Sequence, residues 1–192
     1  SKKKAKLLAF CDSDDMWKPT KLSFQVEKMK EKNSLISCTN YDFFYPNTNN
    51  VKKNIFKIPF SEINFSLLAW KNILGTSSIV VEKKLFQKVK GFPESKYFFS
   101  FEDYFLWLKL SKYEKFLFID DNLTIYRDDR KNSASKTSLS IFDQRLRILF
   151  YYLVRLDFIS FFKLLNGNLK LLNEFFLKKN KNRHYEEYIN ML

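Results

Sequence analysis

Two cysteines, one histidine, three glycines and four prolines are all that these 192 residues contain of those types. Cys11 and Cys38 are too few and too far apart for a disulfide framework or a zinc site, and they suit a reducing compartment. The scarcity of Gly and Pro, beside 45% hydrophobic and 18% aromatic residues, excludes a loop-dominated or disordered chain. No uninterrupted apolar run is long enough to span a bilayer. The opening Ser1–Lys6 is basic, and the short apolar run behind it ends in acids, which is not a secretory leader. His184, the lone histidine, lies far from every motif and reads as a surface residue.

Acidic residues are also in deficit. Against 34 Lys and Arg stand 21 Asp and Glu, a formal net charge of +13. Such a surplus favours anionic partners. The abundance of Lys, Asn, Phe and Ile is equally what an AT-rich genome produces. No nucleic-acid-binding motif is present and the aromatics read as core, so nucleic acid is not expected as a partner. The length fits one domain with an appendage.

The few acids present are concentrated. Leu7 to Cys11 are apolar at every position, as in a central parallel strand covered on both faces, and Cys11 then reads as buried. The run stops at Asp12, Asp14 and Asp15, beyond the strand's carboxyl end, where open α/β sheets bind ligands. Asp12 and Asp14, two apart on extended chain, are hard oxygen ligands suited to Mg²⁺ or Mn²⁺. Pro19 and Thr20 begin a helix with Leu22, Val26 and Met29 at its buried spacing and Lys21 among the polar positions. Strands are expected at Leu35–Tyr45, Thr76–Val81, Lys115–Asp120 and Leu123–Arg127. Helices are expected at Ser61–Trp70, capped by Ser61, and at Lys83–Lys90, closed by Gly91.

Ser100-Phe101-Glu102-Asp103 has the form of a capping box opening an amphipathic helix to Tyr113. Counting on from Asp103, Leu106, Trp107 and Leu110 put its carboxylate at the start of the buried face. A carboxylate at the edge of an apolar face tends towards a raised pKa, which suits a general base. From Ser138 onward the chain reads as helical, with a break near Asn166-Gly167-Asn168. Its basic, aromatic-rich segments suit packing on their own domain first and an anionic membrane surface second.

The run FCDSDDMWKPTKLSFQ resembles the DXD region of family 2 glycosyltransferases of the GT-A fold. FEDYFLWL, from Phe101, resembles their second acidic motif, GTSSIVV (Gly75–Val81) their strand before the acceptor site, and YRDDRKNSAS (Tyr126–Ser135) their donor-closing loop, here without its histidine. The resemblance implies a Rossmann-like α/β mixed sheet flanked by helices, with a helical C-terminal tail. Two regions follow, a partial catalytic domain over 1–137 and an extension over 138–192. It implies an inverting, metal-dependent transferase that moves a sugar from a nucleotide-sugar donor, a UDP-sugar first, to a glycan or lipid-linked acceptor of bacterial surface polysaccharide or lipooligosaccharide. Asp103 would be the base and Glu102 its acceptor-side neighbour. Asp12 and Asp14 would hold Mn²⁺ or Mg²⁺, and Asp12, Ser13, Asp14, Arg127 and Arg130 would meet the donor. The expected location is cytoplasmic, peripheral at the inner face of the plasma membrane.

Members of that family open with a further half domain that supplies much of the nucleotide pocket, and nothing before Leu7 resembles it. The expectation is a truncated chain, or half of a split enzyme completed by an N-terminal partner chain. The alternative is a non-catalytic remnant serving as a membrane- or partner-binding module.

Overall fold

The computed structural model describes residues 5–53, 60–128 and 141–179, with the side chains of 175–179 outside that description. Seven strands form one mixed sheet in the order β1-β6-β3-β7-β2, with β4 paired to β3 and β5 to β7. They are β1 (Leu7–Ala9), β2 (Met16–Trp17), β3 (Ile36–Tyr45), β4 (Asn50–Lys52), β5 (Glu62–Ile63), β6 (Val80–Glu82) and β7 (Phe116–Arg127). The helices are α1 (Lys21–Glu31), α2 (Phe65–Trp70), α3 (Lys83–Lys88), α4 (Glu102–Ser111), α5 (Ile141–Val154) and α6 (Phe158–Lys179).

Two long strands make the spine. β3 and β7 run parallel from Ser37↔Leu117 to Phe44↔Arg127. The register slips between Thr39 and Tyr41, so Asp120 and Asp121 bulge out of one continuous β7. The expected pair of short strands is this single bulged one. α4 packs beneath, nearly all of it buried rather than one face. Trp107 meets Phe116 edge-on at 6.2 Å between ring centres, and Phe105 stacks on Phe98 at 4.0 Å. A helix covered on most sides loses its polar stripe, which is why α4 has little amphipathic contrast.

β1 is not a central parallel strand. It lies at one end of the strand order, antiparallel to β6, with Ala9 and Cys11 exposed. Alternation explains the error: Leu8 and Phe10 pack on the core while the residues between them face outward. An apolar run alone does not distinguish a central strand from an end one.

Several local expectations shift for identifiable reasons. Asn64, not Ser61, caps α2, its Oδ1 accepting from the Leu67 N–H at 3.0 Å, because Glu62–Ile63 is taken into the sheet. No capping box opens α4: Ser100 sits at φ +71° with its Oγ buried and without a partner among the described residues. Thr20 precedes α1 without a side-chain cap bond.

α1 buries Lys21, Gln25 and Met29, while Leu22 is 40% exposed. Lys21 Nζ lies 4.5 Å from the centre of the Trp17 ring and donates to Gln25 Oε1 at 2.8 Å, so an indole face replaces a carboxylate as its neighbour. Burial lowers its pKa to about 8.

The C-terminal helices break at 155–157, not at Gly167. Gly167 is instead where α6 crosses α2: a Cβ there would stand 2.2 Å from the Ala69 carbonyl oxygen. Beside it Arg145 donates to the carbonyls of Ala69 and Trp70 at 2.8 and 2.7 Å and to Asn168 Oδ1 at 2.6 Å. The residues read as a helix break are the ones that let two helices touch.

Candidate active site

Beyond β1 the chain turns at Asp12–Asp15, closed by the Asp15 N–H on the Asp12 carbonyl at 3.2 Å. It re-enters the sheet at β2, which pairs with β7 through Met16↔Ile125 and Trp17↔Thr124. Three contacts fasten this acid loop. Asp15 Oδ1 accepts the Arg127 backbone N–H at 3.0 Å. The Asp12 N–H donates to Ser77 Oγ at 2.9 Å, and the Trp17 indole N–H to the Ser77 carbonyl at 2.7 Å. Just past the loop, Lys18 pairs with Asp42 at 2.8 Å, and Asp42 also accepts from Asn122.

Ser77 belongs to a 3₁₀ turn over Thr76–Ser78, where the sequence suggested strand. The Ser78 hydroxyl and N–H both donate to the Gly75 carbonyl, at 2.7 and 2.9 Å, and this local closure competes with extended pairing. The neighbouring Thr76 hydroxyl donates to Asp103 Oδ2 at 3.2 Å. One turn therefore holds both the acid loop and the acid at the start of α4. From sequence Thr76 and Ser77 stand only as part of the GTSSIVV strand before the acceptor site. The signal available was a run of small hydroxyl residues directly after Gly75.

Burial raises the Asp103 pKa against the opposing Tyr104 N–H and Thr76 hydroxyl bonds, and Glu102 adds to the rise. Asp12 is raised first by burial, then by the charges of Asp15, Asp103 and Asp14. Asp15 is raised by burial, which outweighs its bonds from Ser77 and Arg127. Thus carboxylates distant in sequence share one field. The Glu102 side chain has a buried Oε2 with no hydrogen-bond partner among the described residues.

The expected metal can be tested against this arrangement. Among the described residues no three Asp, Glu, His or Cys side chains converge to enclose an ion. The acid loop instead offers hard oxygens in a field of mutual repulsion that a divalent cation would relieve. That suits an ion keeping several positions for water and phosphate oxygens, and the residues fit it on those terms.

Of the other expected site residues, Ser13 and Asp14 are exposed on the loop and Arg127 is half-buried, its backbone bonded to Asp15. Arg130 lies outside the described residues, as do His184 and most of the YRDDRKNSAS segment.

The structure of TarS residues 1–349 from S. aureus in complex with UDP-GlcNAc superposes with a TM-score of 0.58 at 15% identity, over 87% of this chain and 50% of that one, which shows a shared GT-A-like fold. Residues 2–90 match the model of glycosyl transferase family 2. Two Escherichia coli proteins are similar. WfaP, a UDP-Glc:alpha-D-GlcNAc-diphosphoundecaprenol beta-1,3-glucosyltransferase, is 32% identical over 108 residues. WfgD, named for the same activity, is 31% identical over 107 residues. Each match covers 56% of this chain and 39% of the relative, so the chain spans about two-fifths of their length.

Proposed function

We propose that this chain carries the donor-metal loop and the acceptor base of an inverting glycosyltransferase. It moves a sugar from a UDP-sugar to a lipid-linked glycan acceptor in bacterial surface polysaccharide or lipooligosaccharide synthesis. The observation that supports it most is the Thr76–Ser78 turn, which fixes the Asp12 loop and Asp103 from adjacent residues.

Each group has a chemical task. Asp103, with its affinity for protons raised by burial, takes the proton from the acceptor hydroxyl. That hydroxyl oxygen forms the new bond to the anomeric carbon as the bond to the diphosphate oxygen breaks, which inverts the centre without a covalent enzyme intermediate. Glu102, whose Oε2 has no hydrogen-bond partner among the described residues, accepts from a second acceptor hydroxyl. Asp12 and Asp14 hold Mn²⁺ or Mg²⁺, which when bound offsets charge on the departing diphosphate. Ser13, Arg127 and Arg130 contact the same diphosphate. Residues 1–137 carry this chemistry and residues 138–192 are an extension of that part. A lipid-linked acceptor puts the reaction at the inner face of the plasma membrane.

Calorimetric titration of UDP with Mn²⁺ tests the loop. Binding is expected in the native chain and at least about tenfold weaker in Asp14→Ala. Metal-dependent binding that survives Asp14→Ala would remove the ligand assignment.

A further inference from the structure

The α5–α6 elbow is rigidly built, yet what it presents is apolar. Leu156 holds φ +56°, a region that branched side chains seldom occupy. Its N–H bonds the Leu153 carbonyl at 3.0 Å, and the Asp157 N–H bonds that of Tyr152 at 3.0 Å. Asp157 then accepts the Ser160 N–H at the start of α6 and pairs with Lys112. This bonding fixes the elbow's shape and neutralises its only acid. At its tip Leu156 is 72% and Ile159 74% exposed, with Phe158 beside them.

The apolar surface continues along both helices. Phe142, Leu146 and Phe150 recur every four residues on the outer side of α5, and Phe162 and Leu169 are exposed on α6. The proposed chemistry uses none of them. The rim is basic: Arg155 lies over the Tyr151 ring at 4.7 Å, and Lys163 and Lys170 are exposed. No described helix is long and apolar enough to cross a membrane. A surface with apolar depth, a basic rim and an overall charge of +13 complements one that is negative at its face and apolar beneath. A second copy fits less well, because a twofold contact would set each basic rim against itself.

We infer that the α5–α6 elbow docks this chain on an anionic lipid bilayer, with Leu156, Phe158 and Ile159 entering the boundary between headgroups and acyl chains. This deepens the reading above by naming the surface that faces the acceptor's membrane. Vesicle flotation of the 192-residue chain tests it without nucleotide, metal or acceptor, so its failure leaves the acid site untouched. The native chain is expected to float with vesicles of phosphatidylcholine and phosphatidylglycerol and not with phosphatidylcholine alone. Leu156→Ser with Ile159→Ser keeps the net charge and changes exposed positions. Folded by circular dichroism, that double variant is expected to partition about tenfold more weakly or worse. Native-like partition of the double variant would mean adsorption by charge alone and overturns the insertion. Failure of the folded native chain to float overturns the docking. A native dimer that the double variant splits, with no vesicle binding by either, would make the face a self-interface and also overturns it.

Discussion

Asp103 shows how one residue can set stability against chemistry. Its pKa is higher folded than unfolded, so its stabilising contribution is full at low pH and is lost as pH rises through the folded value. At neutral pH the ionised carboxylate is therefore a liability to stability, one that the proposed role of base would require. Asp103→Asn is expected to melt at a higher temperature than the native chain at pH 7. The gap should narrow as pH falls, followed by calorimetric scans. In a transfer assay the same variant should lose about 100-fold or more. Retained turnover would remove the base assignment. Lys21 has the opposite sign. Its folded pKa near 8 lies below the unfolded value, so native stability relative to Lys21→Met should rise between pH 8 and 10, by up to about 3 kcal/mol in urea unfolding. The positions of the acid loop and of Asp103 were legible in sequence, because carboxylates at a strand end and at a helix start are local patterns. Sequence misplaced Lys21, because charge predicts exposure and only the fold reveals an indole waiting for the ammonium.

Among the elements, periodicity locates α1, α3, α4 and β3, but it misses the Thr76–Ser78 turn, the break at 155–157 and several ends. The ends depend on partners distant in sequence. α2 begins late because β5 joins β7, and α6 runs through Gly167 because α2 lies against it. Gly167→Ala tests that close crossing. The added methyl meets backbone rather than a side chain that can swing away, so a loss of about 1–3 kcal/mol is expected in denaturant unfolding. Neutral behaviour would mean that α6 is free to slide on α2. The antiparallel end position of β1 was not legible, since direction and neighbours in a sheet leave no trace in the composition of a strand.

For the molecule as a whole, charge is distributed with a purpose. Acids gather at one loop within a body of net charge +13. On the proposed function, an anionic nucleotide sugar would be drawn by the far field, and the acid loop would admit it only with a counter-ion. UDP binding in the presence of Mn²⁺ is therefore expected to weaken as ionic strength rises. The measurement is the dissociation constant across a salt series at constant metal. Salt-independent binding would assign recognition to short-range contacts alone.

The turn at Thr76–Ser78 carries a consequence for exchange between homologues. It grips the acid loop with Ser77 and Asp103 with Thr76, the residue before it. On the proposed roles, donor and acceptor chemistry cannot then be inherited separately by trading the acid loop or the start of α4 alone. Recombinants among relatives should retain turnover only where segments 10–17, 75–79 and 100–104 travel together, so that productive crossovers fall in the stretches between them.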